Sequence, residues 1–224
     1  MLSSQSVLVF TLVGCGVVQG AEPDFQPLFP DDSLAAWKVS DWSNVALAQR
    51  ESGAAWKLEN GVLAGLGKRT WLRSRESYGD FVLQFEWKLG EGANSGVGLR
   101  FPLDGDPAFR GLEIQICDTE RYYPQGFRPE QGTAAIYDAV APEKISLKPV
   151  GEWNAFEITC QGSRIKLVVN DQTAWDVDLS KHKQSSSHWP DGTKPLAERP
   201  KIGCIGFQNL SGGITLRELQ IKKL

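Results

Sequence analysis

DFVLQFEWKLG, residues 80–90, places Phe81, Leu83, Phe85 and Trp87 on one side of an extended chain and Val82, Gln84, Glu86 and Lys88 on the other. A period of two is the signature of a strand with one face on a core and the other towards water. The pattern continues in both directions. NSGVGLRF (94–101) sets Val97, Leu99 and Phe101 against Gly96, Gly98 and Arg100, and WKLENGVLAG (56–65) is a hairpin about Asn60-Gly61, a pair suited to the tight turn between antiparallel strands. Further strand-like runs occupy 111–117, 153–162, 163–170, 173–179, 201–210 and 213–224, and no segment of ten or more residues keeps a helical period. Strands at this spacing, joined by Gly, Asn and Asp turns, predict an all-β fold: a two-sheet antiparallel β-sandwich or jelly roll. Two longer connections, 119–150 and 180–200, interrupt the series; in a compact β domain such loops form functional rims or mobile surface.

Composition narrows the function. With 224 residues, 41% hydrophobic and 23% charged, the chain can bury one good core as a single domain. A net charge of −3 with both signs scattered gives no basic stripe for nucleic acid. Tryptophan, present eight times, stacks on sugar rings as readily as it fills a sandwich core.

Residues 1–21 read as an export signal, with an apolar run from Val7 to Val18 too short for a permanent span. Leu12-Val13-Gly14-Cys15 also matches a bacterial lipobox, in which case Cys15 would carry lipid and the protein would sit on a membrane. Residues 22–224 are then one β-sandwich domain, exported to the periplasm or outside the cell. Cys117, Cys160 and Cys204 fall in strand-like runs without a CxxC spacing, which reads as buried small hydrophobes, with one disulfide left open. No cofactor is expected. A divalent metal is left open without a supporting motif: His182 and His188 lie in a polar loop, and Asp104-Gly105-Asp106-Pro107 reads as a plain turn before it reads as a calcium site.

GLEIQICD (111–118) is where chemistry enters. In a regular strand Glu113 and Gln115 point opposite to Ile114 and Ile116, so inward isoleucines leave Glu113 on a solvent-reachable face. A two-carboxylate glycosidase needs a second acid about 5 to 9 Å away, and the alternate strand position holds Gln115 instead. As such a hydrolase this strand is incomplete.

NSGVGLR (94–100), GLEIQICD, TAAIYDAVAP (133–142), KPVGEWNAFEITCQGSRIKLVVN (148–170) and IGFQNLSGGITLRELQIKKL (205–224) occur in the order seen in the 3-keto-disaccharide hydrolase domain family, which the chain resembles from about residue 25 to its end. The resemblance implies a concanavalin A-like lectin/glucanase sandwich, bacterial export, and hydrolysis or elimination at glycosides oxidised at C3. A C3 ketone acidifies the proton on C2, so one base, one oxyanion donor and one proton source suffice. On that expectation Glu113 is the base, Arg100 holds the oxyanion and Tyr137 is the acid, while Gln115, Asn94, Trp153 and Gln208 contact the sugar. Family members usually read Gln-Asp-His-Gly where this chain has Gln208-Asn209-Leu210-Ser211. The alternative function on the same fold is a non-catalytic, lectin-like carbohydrate-binding protein.

Overall fold

The computed structural model describes residues 24–30, 32–48 and 55–224; the export signal and the lipobox lie outside them. The strands are β1 (Gln26–Pro27), β2 (Trp37–Asp41), β3 (Trp56–Glu59), β4 (Val62–Gly65), β5 (Thr70–Ser74), β6 (Phe81–Leu89), β7 (Asn94–Phe101), β8 (Leu112–Cys117), β9 (Asn154–Gln161), β10 (Arg164–Val169), β11 (Gln172–Asp178), β12 (Cys204–Ser211) and β13 (Ile214–Lys223). Two one-turn helices, α1 (Pro107–Arg110) and α2 (Thr119–Tyr122), flank β8. One sheet runs β11-β10-β9-β6-β13-β4-β3, with β1 also on β13; the other runs β2-β5-β12-β7-β8. All pairings between strands are antiparallel. The expected sandwich is the observed one, and β3 and β4 are the expected hairpin.

The two sheets differ in what covers them. In β6 buried and half-buried residues alternate strictly, so Phe81, Leu83, Phe85, Trp87 and Leu89 enter the core while the outer face stays wet. Every residue of β5, β7 and β8 is buried, so the five-stranded sheet is covered on both faces. Its inner face gives Val97, Leu99, Ile114, Ile116 and Phe207 to the core; the Phe85 and Phe207 rings meet edge-on across the gap, 5.7 Å between centroids, a favoured aromatic geometry. Its outer face carries a second small cluster of Val45, Trp71, Phe101 and Cys204.

β8 ends its sheet, and an exposed edge strand invites pairing with other chains. The long connection after β8 covers it. Ala134 N donates to Gln115 O (2.8 Å), Gln115 N to Ala135 O (3.0 Å) and Tyr137 N to Glu113 O (2.8 Å). Two tryptophans hold this cover in place, Trp175 Nε1 donating to Ala134 O and Trp189 Nε1 to Asp138 O. Cys117, Cys160 and Cys204 are all buried free thiols, so the disulfide left open by the sequence is absent among the described residues.

Arg100 breaks the parity expected for β7. Its φ of 51° is left-handed, and the β7–β12 register slips between Cys204 and Gly206, the mark of a bulge. Phe101 therefore joins the outer cluster with Trp71. The Arg100 side chain, 1% exposed, donates to Gly79 O (2.8 Å), Gly162 O (2.7 Å) and Asp80 Oδ1 (2.9 Å). It thereby ties β7 to the start of β6 and to the β9–β10 turn. The Asp80 side chain is 40% exposed, so the main loss on removing Arg100 is its charge-assisted hydrogen bonds to Gly79 O and Gly162 O, a loss of about 2 kcal/mol. Arg100→Ala is expected to lower unfolding free energy in urea by about that amount, with turnover per folded molecule little changed.

Candidate functional site on the outer face of the five-stranded sheet

Directly paired residues of antiparallel strands point to the same face. One row across the sheet is Gln115, Gly96, Gln208, Trp71 and Ser40, and the next is Glu113, Gly98, Gly206, Arg73 and Lys38. Since Ile114 and Ile116 are in the core, both rows lie on the outer face. The glycines make room. A Cβ at Gly96 would fall 2.8 Å from the Glu113 carboxyl carbon, and one at Gly98 would fall 2.8 Å from the Phe101 ring. The Glu113 carboxylate thus rests on bare backbone between the amides of Gln115 and Gln208, while Phe101 and Trp71 fill the adjoining floor.

Five of the seven residues expected at the site come together: Glu113, Gln115, Asn94, Gln208 and Tyr137. Gln115 Nε2 donates to Gln131 O (3.2 Å) and, more weakly, to Asn94 Oδ1 (3.5 Å). Gln208 is 5% and Asn94 9% exposed. Tyr137 is half-buried beside Glu113, its backbone bonded to Glu113 O and its ring edge-on to Phe109. Two residues are elsewhere. Arg100 is spent on the clamp described above, so it neither pairs with Glu113 nor faces it. Trp153 lies on the outer face of the other sheet, between Lys88 Nζ (4.8 Å from the ring centroid) and Arg217 Cζ (4.2 Å).

The burial of Glu113 departs from the solvent-reachable position expected of it. It is 3% exposed and its Oε1 has no hydrogen-bond partner, as is true of Gln115 Oε1. An ionised carboxylate in such a place is costly, so desolvation, helped by the negative charge of Asp106, holds its pKa well above the ordinary 4.5. Burial first, then the charges of Glu113 and Asp138, push Tyr137 up to about 12.

Asp106 is the site residue that the sequence reading took for a plain turn. Its Oδ1 accepts from Ala108 N (3.0 Å) and caps α1, and burial pushes its pKa up to about 6 against that bond. Asp106 and Phe109 also line a cleft of about 550 Å³ together with residues 190–194 and Arg199, within the size range of small-ligand sites. Neither Glu113 nor Tyr137 lines this cleft; the edge-on contact of the Phe109 and Tyr137 rings is what connects the two places. Asp-Gly-Asp-Pro is as good a turn as a site from sequence alone; only the fold of the β7–β8 connection brings its second acid to Glu113. Asn209, where the family resemblance implies an acid, turns inward, donating to Gly67 O (2.8 Å) with Oδ1 unpaired; Leu210 is half-buried. Among the described residues no group of three or more His, Cys, Asp or Glu could hold a metal ion.

Residues 24–222 match the 3-keto-alpha-glucoside-1,2-lyase-like domain. A 3-keto-disaccharide hydrolase of Bacteroides thetaiotaomicron is 25% identical over 173 residues, which are 65% of this chain and 59% of that protein, so the chain covers less than two thirds of its length. Among solved structures, a protein of Parabacteroides distasonis provisionally named a glycosyl hydrolase is 26% identical, with a TM-score of 0.75 over 90% of this chain and 100% of the other. A Bacillus subtilis protein with a galectin-like fold, 12% identical, covers 91% of this chain and 96% of its own with a TM-score of 0.52, which bears on fold alone. The names of the family and of these relatives point to a glycoside hydrolase-like function on a sugar-binding sandwich.

The raised Glu113 pKa has a stability consequence. Between pH 4.5, where the unfolded glutamate loses its proton, and the higher folded pKa, the folded state binds more protons, so stability falls as pH rises through that window and is level above it. Glu113→Gln removes this penalty without changing shape. The variant is expected to unfold at higher urea than the wild type at about pH 8, with the gap closing towards about pH 4.5; a gap independent of pH would mean that the Glu113 pKa is not raised by folding.

Proposed function

Because the chain belongs to the 3-keto-alpha-glucoside-1,2-lyase-like domain family, we propose that it cleaves the glycosidic bond of a 3-keto-disaccharide or related oxidised glycoside by removing the proton on C2. The observation that carries this reading is Glu113: a buried carboxylate with an unpaired oxygen, on a face otherwise lined by sugar-compatible amides. A base poised in a dry site is strong once ionised, because water no longer stabilises its charge. Gln115, Gln208 and Asn94 supply donors and acceptors for ring hydroxyls.

With Arg100 drawn into its clamp, the oxyanion at C3 falls to Tyr137. A phenol pushed to about 12 keeps its proton at any physiological pH and so remains a neutral hydrogen-bond donor to the enolate oxygen. At 3% exposure Glu113 is covered in this structure. A sugar reaches it only when the groups covering it move aside.

A second reading, a carbohydrate-binding protein without turnover, draws on Asn209 and Leu210 standing where the family resemblance implies an acid and a histidine. One experiment separates the two. On a 3-keto-disaccharide, Glu113→Gln is expected to lose turnover by on the order of 10³-fold while titration calorimetry still records binding. Wild-type kcat/KM should rise with pH through a pKa well above the usual carboxylate range, since the base acts only when ionised. Binding without turnover by the wild type selects the second reading, and unchanged turnover in the variant removes Glu113 from the role. Assays with and without a chelator measure the dependence on a divalent ion.

A further inference from the structure

We propose that Gln131 is the positioning residue that aims the hydroxyl proton of Tyr137; this rests on the reading of Tyr137 as the donor to the C3 oxyanion and deepens it. The backbone sets the frame. Ile136 pairs with Ile114 in an antiparallel bridge and Tyr137 N donates to Glu113 O, so Tyr137 is held against the strand that carries Glu113 and Gln115. Gln131 ends the short turn Pro129–Gln131 just before this segment and makes three bonds there. Its main-chain carbonyl accepts from Gln115 Nε2 (3.2 Å), its side-chain Oε1 accepts from Arg128 N (3.1 Å), and its side chain is hydrogen-bonded to the Tyr137 hydroxyl. One residue outside the expected set thus touches two inside it.

The bond to Arg128 N decides the direction of the bond to Tyr137. With Oε1 committed to that amide, the end of Gln131 offered to the phenol is Nε2, and an amide nitrogen only donates. The phenol oxygen therefore accepts. Its own proton is left for another acceptor, which in the proposed reaction is the substrate oxygen at C3. The proton affinity of Tyr137 agrees in sign: burial first, then the charges of Glu113, Asp138 and Asp106, push it up, and the Gln131 bond alone pulls it down, as a donor facing the phenol oxygen does. The chemical gain follows from the same geometry. As Tyr137 gives its hydrogen bond to the enolate, negative charge gathers on the phenol oxygen, and the Gln131 donor stabilises that charge where water is excluded.

The test combines two substitutions with a double-mutant cycle. Gln131→Met keeps the length of the side chain without its donor, and Gln131→Glu keeps an acceptor for Arg128 N, as a carboxylate does in a capping box, while taking the phenol proton instead of giving one. On a 3-keto-disaccharide, kcat per folded molecule is expected to fall about tenfold in Gln131→Met and on the order of 10²-fold in Gln131→Glu, with KM within about twofold of wild type in both. Tyr137→Phe alone loses on the order of 10²-fold, and adding Gln131→Met to it costs less than about twofold more. Independently of turnover, the phenolic carbon resonance of isotope-labelled Tyr137, identified by its disappearance in Tyr137→Phe, moves in Gln131→Met. A Gln131→Met loss that persists undiminished in Tyr137→Phe, full turnover in Gln131→Met, or an unmoved resonance overturns the role of Gln131 and leaves Glu113 and Tyr137 standing. Full turnover in Tyr137→Phe removes Tyr137 as the donor and this inference with it. Failure of the wild type to turn over the keto-sugar overturns the proposed function and this inference together.

Discussion

The parity of one six-residue strand governs the site. Ile114 and Ile116 are drawn into the space between the sheets by the same apolar forces that bury Phe85 and Phe207, and a strand has only two faces. Glu113 and Gln115 are therefore pushed to the outside, where charged groups would ordinarily meet water. Here they meet a second layer. The 133–137 segment closes the edge of β8, Phe109 packs edge-on against Tyr137, and Gly96 lets the carboxylate lie flat on the neighbouring strand.

That second layer sets the chemistry. Glycine at 96 and the bare backbone beneath Phe101 at 98 keep the floor shallow, so that amides and one acid share a small dry volume. Withdrawing water raises the proton affinity of Glu113 and also makes every remaining dipole count for more. The same withdrawal leaves two acceptor oxygens without partners, each a cost to the folded state. A site that weakens the fold in order to hold a reactive group is a common compromise in enzymes, and here the cost resides in two residues on the same face of one strand, Glu113 and Gln115.

The architecture could be read from the sequence because alternation is a local signal. β6, β7, β8 and the Asn60-Gly61 hairpin all announce themselves by it. β2 and β5 do not: β5 is buried on both faces, so Thr70–Ser74 shows no alternation to detect. Site residues were legible only as far as strand parity holds. It holds for Gln115, Gln208 and Asn94, and it places Glu113 on the right face while saying nothing of the loops that bury it. It fails at Arg100, where a left-handed residue inserts a bulge that no alternation pattern registers. Trp153 went astray because a residue at the head of a strand can serve either sheet, and Asp106 because the course of a loop is set by tertiary contacts such as the Arg199 guanidinium on Ala108 and Gly111.

The three unpaired thiols carry a practical meaning. With Cys117, Cys160 and Cys204 all buried and separate, none of the described residues depends on a covalent cross-link to reach its native arrangement. Folding of this sandwich is then indifferent to the redox poise of the surroundings. A reducing host cytoplasm should yield the same molecule as an oxidising compartment, and reductant in the buffer should leave the melting curve where it was.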